Sequence, residues 1–123
     1  VPYIYQMIQE KNYLYVVRGL ALEIYRLPQL KKIATFHLKG AYFTDAQKQN
    51  NLIYLAGKRK GIIVVDVSEK KKPTLVGNLS SPLKAVLSLS LRQDELYFSC
   101  GAHGYGIIGI NKPQNLLYWR KPG

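Results

Sequence analysis

Apolar and polar positions alternate along this chain in short runs, and the runs recur. Asn12-Tyr13-Leu14-Tyr15-Val16-Val17, Asn51-Leu52-Ile53-Tyr54-Leu55-Ala56 and Asp94-Glu95-Leu96-Tyr97-Phe98-Ser99 share one order: a polar start, then apolar residues around a tyrosine. Tyr15, Tyr54 and Tyr97 stand 39 and 43 residues apart. A second apolar run follows each after a short turn, at Leu20 to Tyr25, Ile62 to Asp66 and Ile107 to Asn111. A proline with a leucine close behind comes next: Pro28 with Leu30, Pro73 with Leu75, Pro113 with Leu116. Each unit closes on a short strand-like run, Lys31 to Phe36, Thr74 to Leu79 and Leu116 to Arg120. Each also opens on one, at Tyr3 to Ile8, Ala41 to Ala46 and Lys84 to Leu91, ending in a polar turn.

Four strands per unit are therefore predicted. They fall near 3–8, 12–18, 20–27 and 31–37, then 41–47, 51–57, 61–67 and 74–79, then 84–92, 95–100, 106–111 and 116–120. No segment sustains a 3.6-residue apolar period with caps, so essentially no helix is expected. Four short strands in a repeat of about 40 residues match one propeller blade. A meandering sandwich also spaces its strands evenly, but has no fixed four-strand period. The expected fold is all-β: a β-propeller segment of three consecutive four-stranded antiparallel blades, near 1–38, 39–81 and 82–123.

Lys60-Gly61-Ile62-Ile63-Val64-Val65-Asp66-Val67-Ser68, followed by Lys72-Pro73-Thr74-Leu75-Val76-Gly77, resembles the LVIVD repeat. That pattern is a tyrosine-containing strand, a glycine turn, an apolar run ending in Asp, then Pro and a last short strand. The second unit matches nearly in full. The third matches more weakly, through Gly106-Ile107-Ile108-Gly109-Ile110-Asn111 and Pro113, and the first loosely, with Tyr25 in the place of the Asp. The resemblance implies a β-propeller of the kind found in bacterial or archaeal extracytoplasmic or cell-surface proteins, mostly of unassigned molecular function. On physical grounds Asp66 and Asn111 are expected to accept backbone N–H bonds in the following turn. Pro73 and Pro113 suit the start of an outer strand, where a missing N–H is tolerated. Gly61 and Gly106 are expected to supply positive φ in the hairpin.

Propellers close with roughly four to eight blades. Three blades leave two apolar faces and their strand edges uncovered. The expectation is thus a piece of a longer propeller or a ring completed by further copies, of which a two-chain, six-bladed ring is the simplest. A nicked chain or an accessory subunit docked to other proteins is a further arrangement. A start at Val1, without a basic n-region, reads as a processed product or a piece of something longer.

Composition changes the picture mainly through charge. The ten tyrosines suit pleated strands. The net charge of +11, from 18 basic and 7 acidic residues, attracts nucleic acid, acidic lipid, acidic glycan or an acidic partner without choosing among them. Cys100 is the only cysteine, so no intrachain disulfide forms. The longest apolar runs are too short to span a bilayer.

Candidate chemistry is sparse. His37 and His103, the only histidines, lie in different units, as do Asp45, Asp66 and Asp94, and no metal-ligand spacing occurs. Cys100 and His103 are close enough in sequence for a nucleophile pair. A strand cysteine acting as a small hydrophobe is the favoured reading. Ser88 and Ser90 alternate with leucines on one strand face. The glycine pattern from Gly101 to Gly106 is followed by a strand and reads as a hairpin, not a phosphate loop. No catalytic residue, cofactor or metal is expected, and the chain is read as a non-enzyme.

The blade geometry gathers the turns at two ends. Turns between second and third strands share one end with the connectors between units, carrying Lys58-Arg59-Lys60, Arg18 and Lys39. The other end carries Lys31-Lys32, Lys70-Lys71-Lys72, Lys11, Lys48, Arg92 and Lys112. The expected function is a binding or scaffold module. It would engage a protein partner or an acidic polymer through Lys31, Lys32, Lys70, Lys71 and Lys72, and through Lys58, Arg59 and Lys60. A solvated lysine rim that only keeps the protein soluble is the plainer alternative. One rival is a nucleic-acid binder, against which stands the lack of aromatic platforms beside the basic turns. The other is part of a propeller enzyme whose active site needs further blades.

Overall fold

The computed structural model describes residues 3–79 and 85–110, and 116–120 as strand backbone. Its strands form three four-stranded antiparallel sheets, each a meander in chain order. The first contains β1 (Gln6–Glu10), β2 (Tyr13–Val17), β3 (Leu22–Arg26) and β4 (Lys31–Phe36). The second contains β5 (Asp45–Gln49), β6 (Leu52–Ala56), β7 (Ile62–Asp66) and β8 (Thr74–Leu79). The third contains β9 (Ser88–Arg92), β10 (Glu95–Ser99), β11 (Tyr105–Gly109) and β12 (Leu116–Arg120).

Strand side chains alternate between faces, so the repeat decides which residues meet. Tyr15, Val17, Leu22 and Ile24 of the first sheet pack on Ile53, Leu55, Ile63 and Val65 of the second, together with Phe43. The opposite face of the second sheet, with Tyr54, Ala56, Ile62 and Val64, packs on Leu89, Leu96, Phe98 and Ile108 of the third. The second sheet is thus buried on both faces. That explains why Ile62-Ile63-Val64-Val65 is continuously apolar where a one-sided strand would alternate.

Repetition extends to details the residue types conceal. Lys11, Asn50 and Gln93 open the equivalent two-residue hairpins and all lie in the left-handed region, at φ of 54°, 55° and 53°. Asn tolerates that conformation, whereas for Lys and Gln it costs about 1–2 kcal/mol. The third and fourth strands of every sheet shift register at the same place, after Ile24, Val64 and Ile107.

Successive sheets are also latched through the backbone. Phe43 N–H donates to the Gly19 carbonyl at 2.6 Å. Lys58 and Val86 exchange two hydrogen bonds of 3.0 Å. In both cases a turn between second and third strands bonds to the segment leading into the next sheet. Gly19 suits that place on two counts. Its φ is 80°, and a Cβ would stand 2.6 Å from the Tyr42 ring.

These latches account for the main difference from the sequence reading. The first strands begin at Gln6, Asp45 and Ser88, later than expected. Phe43 and Val86 instead bond outward, to a turn of the preceding sheet, while Thr44 and Leu87 donate their N–H groups to the Ala56 and Ser99 carbonyls at the strand ends of their own sheets. Residues 9–10 and 48–49, beyond the expected strands, end the first strands instead. Gly106 does not supply positive φ: it pairs with Phe98 inside β11. A short 3-10 turn, Gly101–His103, lengthens that hairpin and moves the left-handed positions to Gly101 and Gly104. Gly61 does have positive φ, at 78°. Ser68 N–H donates to Asp66 Oδ1 at 2.8 Å, the Asx turn expected from sequence. That backbone bond, with the Ser68 hydroxyl, holds the Asp66 carboxyl below the usual range. The expectations for Asn111, Lys112 and Pro113 lie outside the described residues.

Candidate binding faces

The turns β1–β2, β3–β4, β5–β6 and β7–β8 define a lower rim. Turns β2–β3, β6–β7 and β10–β11 and the connectors between sheets define an upper rim. On the lower rim Lys31, Lys71 and Lys72 are exposed. Three other lysines there are already engaged. Lys32 pairs with Glu23 Oε2 at 3.4 Å. Lys70 donates to the Val67 carbonyl at 2.9 Å and lies 5.2 Å from the Tyr13 ring centroid. Lys48, expected on this surface, has only 3 % of its side chain exposed. It donates to Glu10 and to the Asn50 carbonyl and sits 5.6 Å from the Tyr15 ring. The Lys48 bond holds the Glu10 carboxyl below its usual range against slight desolvation. Burial pushes the Tyr15 hydroxyl up to about 12.

On the upper rim Lys58 and Arg59 are exposed and Lys60 half-buried. The Lys58 ammonium stands 4.7 Å from the Tyr42 ring centroid. Tyr42 and Tyr5 share a hydrogen bond of 3.0 Å between hydroxyls, their rings meeting edge to face at 5.7 Å and 81°. Tyr3 meets Tyr5 in the same way, at 5.1 Å and 69°. The hydrogen bond to Tyr42, then slight desolvation and the neighbouring phenols, raise the Tyr5 hydroxyl above its ordinary value. This places an aromatic cluster beside a basic turn, where the sequence reading expected none. Tyr3 and Tyr5 lie far from Tyr42 in sequence, and the Gly19–Phe43 latch brings them together. A signal existed: counted back from the first residue of β1 and β5, Tyr3 and Tyr42 fall at the same position.

A second unforeseen group lies on the outer face of the first sheet. Glu23 Oε1 accepts from Arg18 Nε at 2.7 Å and from the Tyr25 hydroxyl at 2.8 Å. Burial pushes this carboxyl up, but hydrogen bonds from Tyr25, Arg18 and Lys32 outweigh it, so it titrates below the usual range. Asp45, inside the strand expected near 41–47, starts β5 and ties the three innermost strands together. Its Oδ1 accepts from Gln6 Nε2 at 3.1 Å and Ala46 N–H at 2.9 Å, and its Oδ2 from Leu89 N–H at 2.8 Å.

The nucleophile and metal candidates sit as follows. Cys100 is buried in the third sheet's core, and its carbonyl accepts from His103 N–H at 3.1 Å. The His103 side chain is exposed, and His37 Nδ1 lies 3.2 Å from the Leu20 carbonyl. Among the described residues no group of three or more His, Cys, Asp or Glu side chains could hold a metal. Among the same residues no helix is long and apolar enough to cross a membrane.

Comparison with known proteins supports the repeat and the architecture. Residues 49–81 match the LVIVD repeat family model. No curated protein matches the sequence. The chain is similar in fold to the computationally designed Ika4 protein, with a TM-score of 0.80 at 11 % identity over 99 % of this chain and 74 % of Ika4. It is also similar to the computationally designed Ika8 protein, with a TM-score of 0.76 at 12 % identity over 95 % of this chain. There it spans 36 % of Ika8's length. At such identities the likeness concerns the fold alone.

Proposed function

From a chain that carries an LVIVD repeat at residues 49–81 in an all-β, propeller-like fold, we propose a non-enzymatic binding and scaffold module. It is part of a closed ring and acts outside the cytoplasm, engaging an acidic polymer or a protein partner through its loop rims. The carrying observation is the set of exposed cations standing on turns of a rigid sheet scaffold. Lys58 and Arg59 occupy the upper rim, and Lys31, Lys71 and Lys72 the lower.

Ring closure draws support from equivalent positions in the repeat. Phe43 and Val86 are fully buried at the latches, whereas Ile4, at the corresponding place before β1, is 46 % exposed. Ala46 and Leu89 are 1 % and 7 % exposed, and their counterpart Met7 is 51 % exposed. The outer face of the first sheet is thus built like an inter-sheet junction, and further blades or further copies would cover it.

Binding of polyglutamate and polygalacturonate, followed as ionic strength rises, tests the rim reading. Loosely specific lysine contacts predict affinity that falls steeply with salt. It should fall again in Lys71→Gln/Lys72→Gln or Lys58→Gln/Arg59→Gln. If neither polymer binds at low salt, or neither double variant weakens binding, the rims are only solvated.

A further inference from the structure

We propose that the upper rim between the first and second sheets binds an acidic polysaccharide of the polyuronate type. One sugar face stacks on Tyr3, ring hydroxyls meet the Tyr5–Tyr42 pair, and carboxylates are taken by Lys58, Arg59 and Lys60. This deepens the rim-binding reading and rests on it.

The site is built in advance by the fold. Tyr42 rests so close to Gly19 that a Cβ there would have to push its ring aside. Lys58 is pinned by two backbone bonds to Val86, and its ammonium is parked on the Tyr42 ring. A cation held this way loses little side-chain freedom when an anion arrives. Lys60 is positioned too: its stem lies where a Cβ on Gly40 would be, and its carbonyl accepts from Asn78 Nδ2 at 2.6 Å.

Charge on this rim is not neutralised from within. Among the described residues its turns and connectors carry no carboxylate, and Glu23 and Asp45 lie in the adjoining strands β3 and β5. Glu23 is occupied by Arg18, Tyr25 and Lys32, and Asp45 by Gln6 and two backbone N–H groups. Neither is paired with Lys58, Arg59 or Lys60.

The aromatic geometry selects the ligand. Tyr3 is 69 % exposed, and its counterpart Tyr42 stays part-exposed beside the preceding sheet's turn, so Tyr3 keeps a stacking surface even in the closed ring. Tyr5 and Tyr42 are turned edge to face, and Tyr42 is bracketed by Gly19 and Lys58. A nucleic-acid strand wants successive open rings, one for each base. Here one open ring stands beside two phenol hydroxyls that share a single bond between them, leaving donor and acceptor capacity. A chain with a flat C–H face, several hydroxyls and one carboxylate per unit satisfies all three features. An acidic peptide supplies the carboxylates but no saturated ring face for Tyr3.

The test is affinity electrophoresis and calorimetry of the full chain with polygalacturonate, neutral galactan and oligodeoxythymidylate. Near-ultraviolet circular dichroism checks that each variant is folded. Polygalacturonate should bind at low salt and galactan should not. Tyr3→Ala and Lys58→Gln should each weaken binding about tenfold, the scale of one stacking or cation contact. Lys71→Gln/Lys72→Gln, on the opposite rim, should weaken it less than either, through the loss of net charge alone. The reverse pattern, with only the Lys71/Lys72 variant losing affinity, overturns this site but leaves the rim reading standing. Tyr3-dependent binding of oligodeoxythymidylate without polygalacturonate assigns the site to nucleic acid instead. Failure of every polyanion to bind removes both readings.

Discussion

Glu23 stands at the strand position held by Ile63 in the second sheet, since their β2 and β6 partners, Val16 and Leu55, are equivalent. Where Ile63 meets the first sheet's core, Glu23 faces outward and collects Arg18, Tyr25 and Lys32. Its carboxyl is lowered in the folded chain relative to an ordinary value of 4.5. Its stabilising contribution is therefore complete above that value and is lost as pH falls through the folded-state titration. Glu10 and Asp66 shift in the same direction, so only a difference isolates Glu23. Glu23→Gln should cost about 1 kcal/mol at neutral pH, because Arg18 and Lys32 can regain water. The gap from wild type in urea denaturation should close as pH drops from neutral to below 4.5. A gap of constant size would show that the carboxylate's charge is immaterial. At this scale local features were legible and distant ones were not. The bond from Ser68 to Asp66 spans two residues and follows from residue type, whereas Lys48 looked like one more polar residue in Gln47-Lys48-Gln49. Its burial depends on Glu10 and Tyr15, which arrive from another sheet.

The latch segments decide how one sheet holds the next. Phe43 donates its backbone N–H to Gly19 and buries its ring against Phe36, at 6.2 Å between centroids. Ile4 has the same place in the repeat and remains exposed. In the chain as a monomer, with no further blade beside it, Phe43→Ala should therefore destabilise by about 3–5 kcal/mol and Ile4→Ala by less than about 1 kcal/mol. In the closed ring proposed above, the Ile4→Ala cost should rise towards that of Phe43→Ala. Chemical denaturation of both variants measures the two costs. Comparable losses would mean that other polypeptide covers Ile4 in solution. The strand count and the outer strands could be read from the sequence because prolines, tyrosines and apolar runs punctuate them. The starts of β1, β5 and β9 could not. An apolar run that ladders with its own sheet looks the same, letter by letter, as one that bonds outward to its neighbour. The aromatic cluster was missed for the same reason, because Tyr3 and Tyr42 meet only through such an outward bond.

Across the whole molecule the legibility of the repeat follows burial. The second unit alone matches the LVIVD family model, and it is the unit whose central strands are covered on both sides. The first unit departs at Glu23 and Tyr25, which lie on its outer face. The third departs at Ser88, Ser90 and Ser99, which line the open face of its sheet with Tyr97. Sequence drift thus follows which faces are left uncovered by the other two described sheets. The double coverage of the second sheet also has a dynamic consequence. Among the described residues the two cores share none and are joined only through that sheet. Opening the first sheet removes one core and leaves the other whole, and opening the third does the converse. Local unfolding should therefore run inward from either end as two independent events. In hydrogen–deuterium exchange, the amides of Ile53 to Leu55 and Ile63 to Val65 should exchange last. Slower exchange in the first or third sheet than in the second would show that the chain opens as one block. If the order holds, the middle unit is the template that survives partial melting and on which both neighbours re-form.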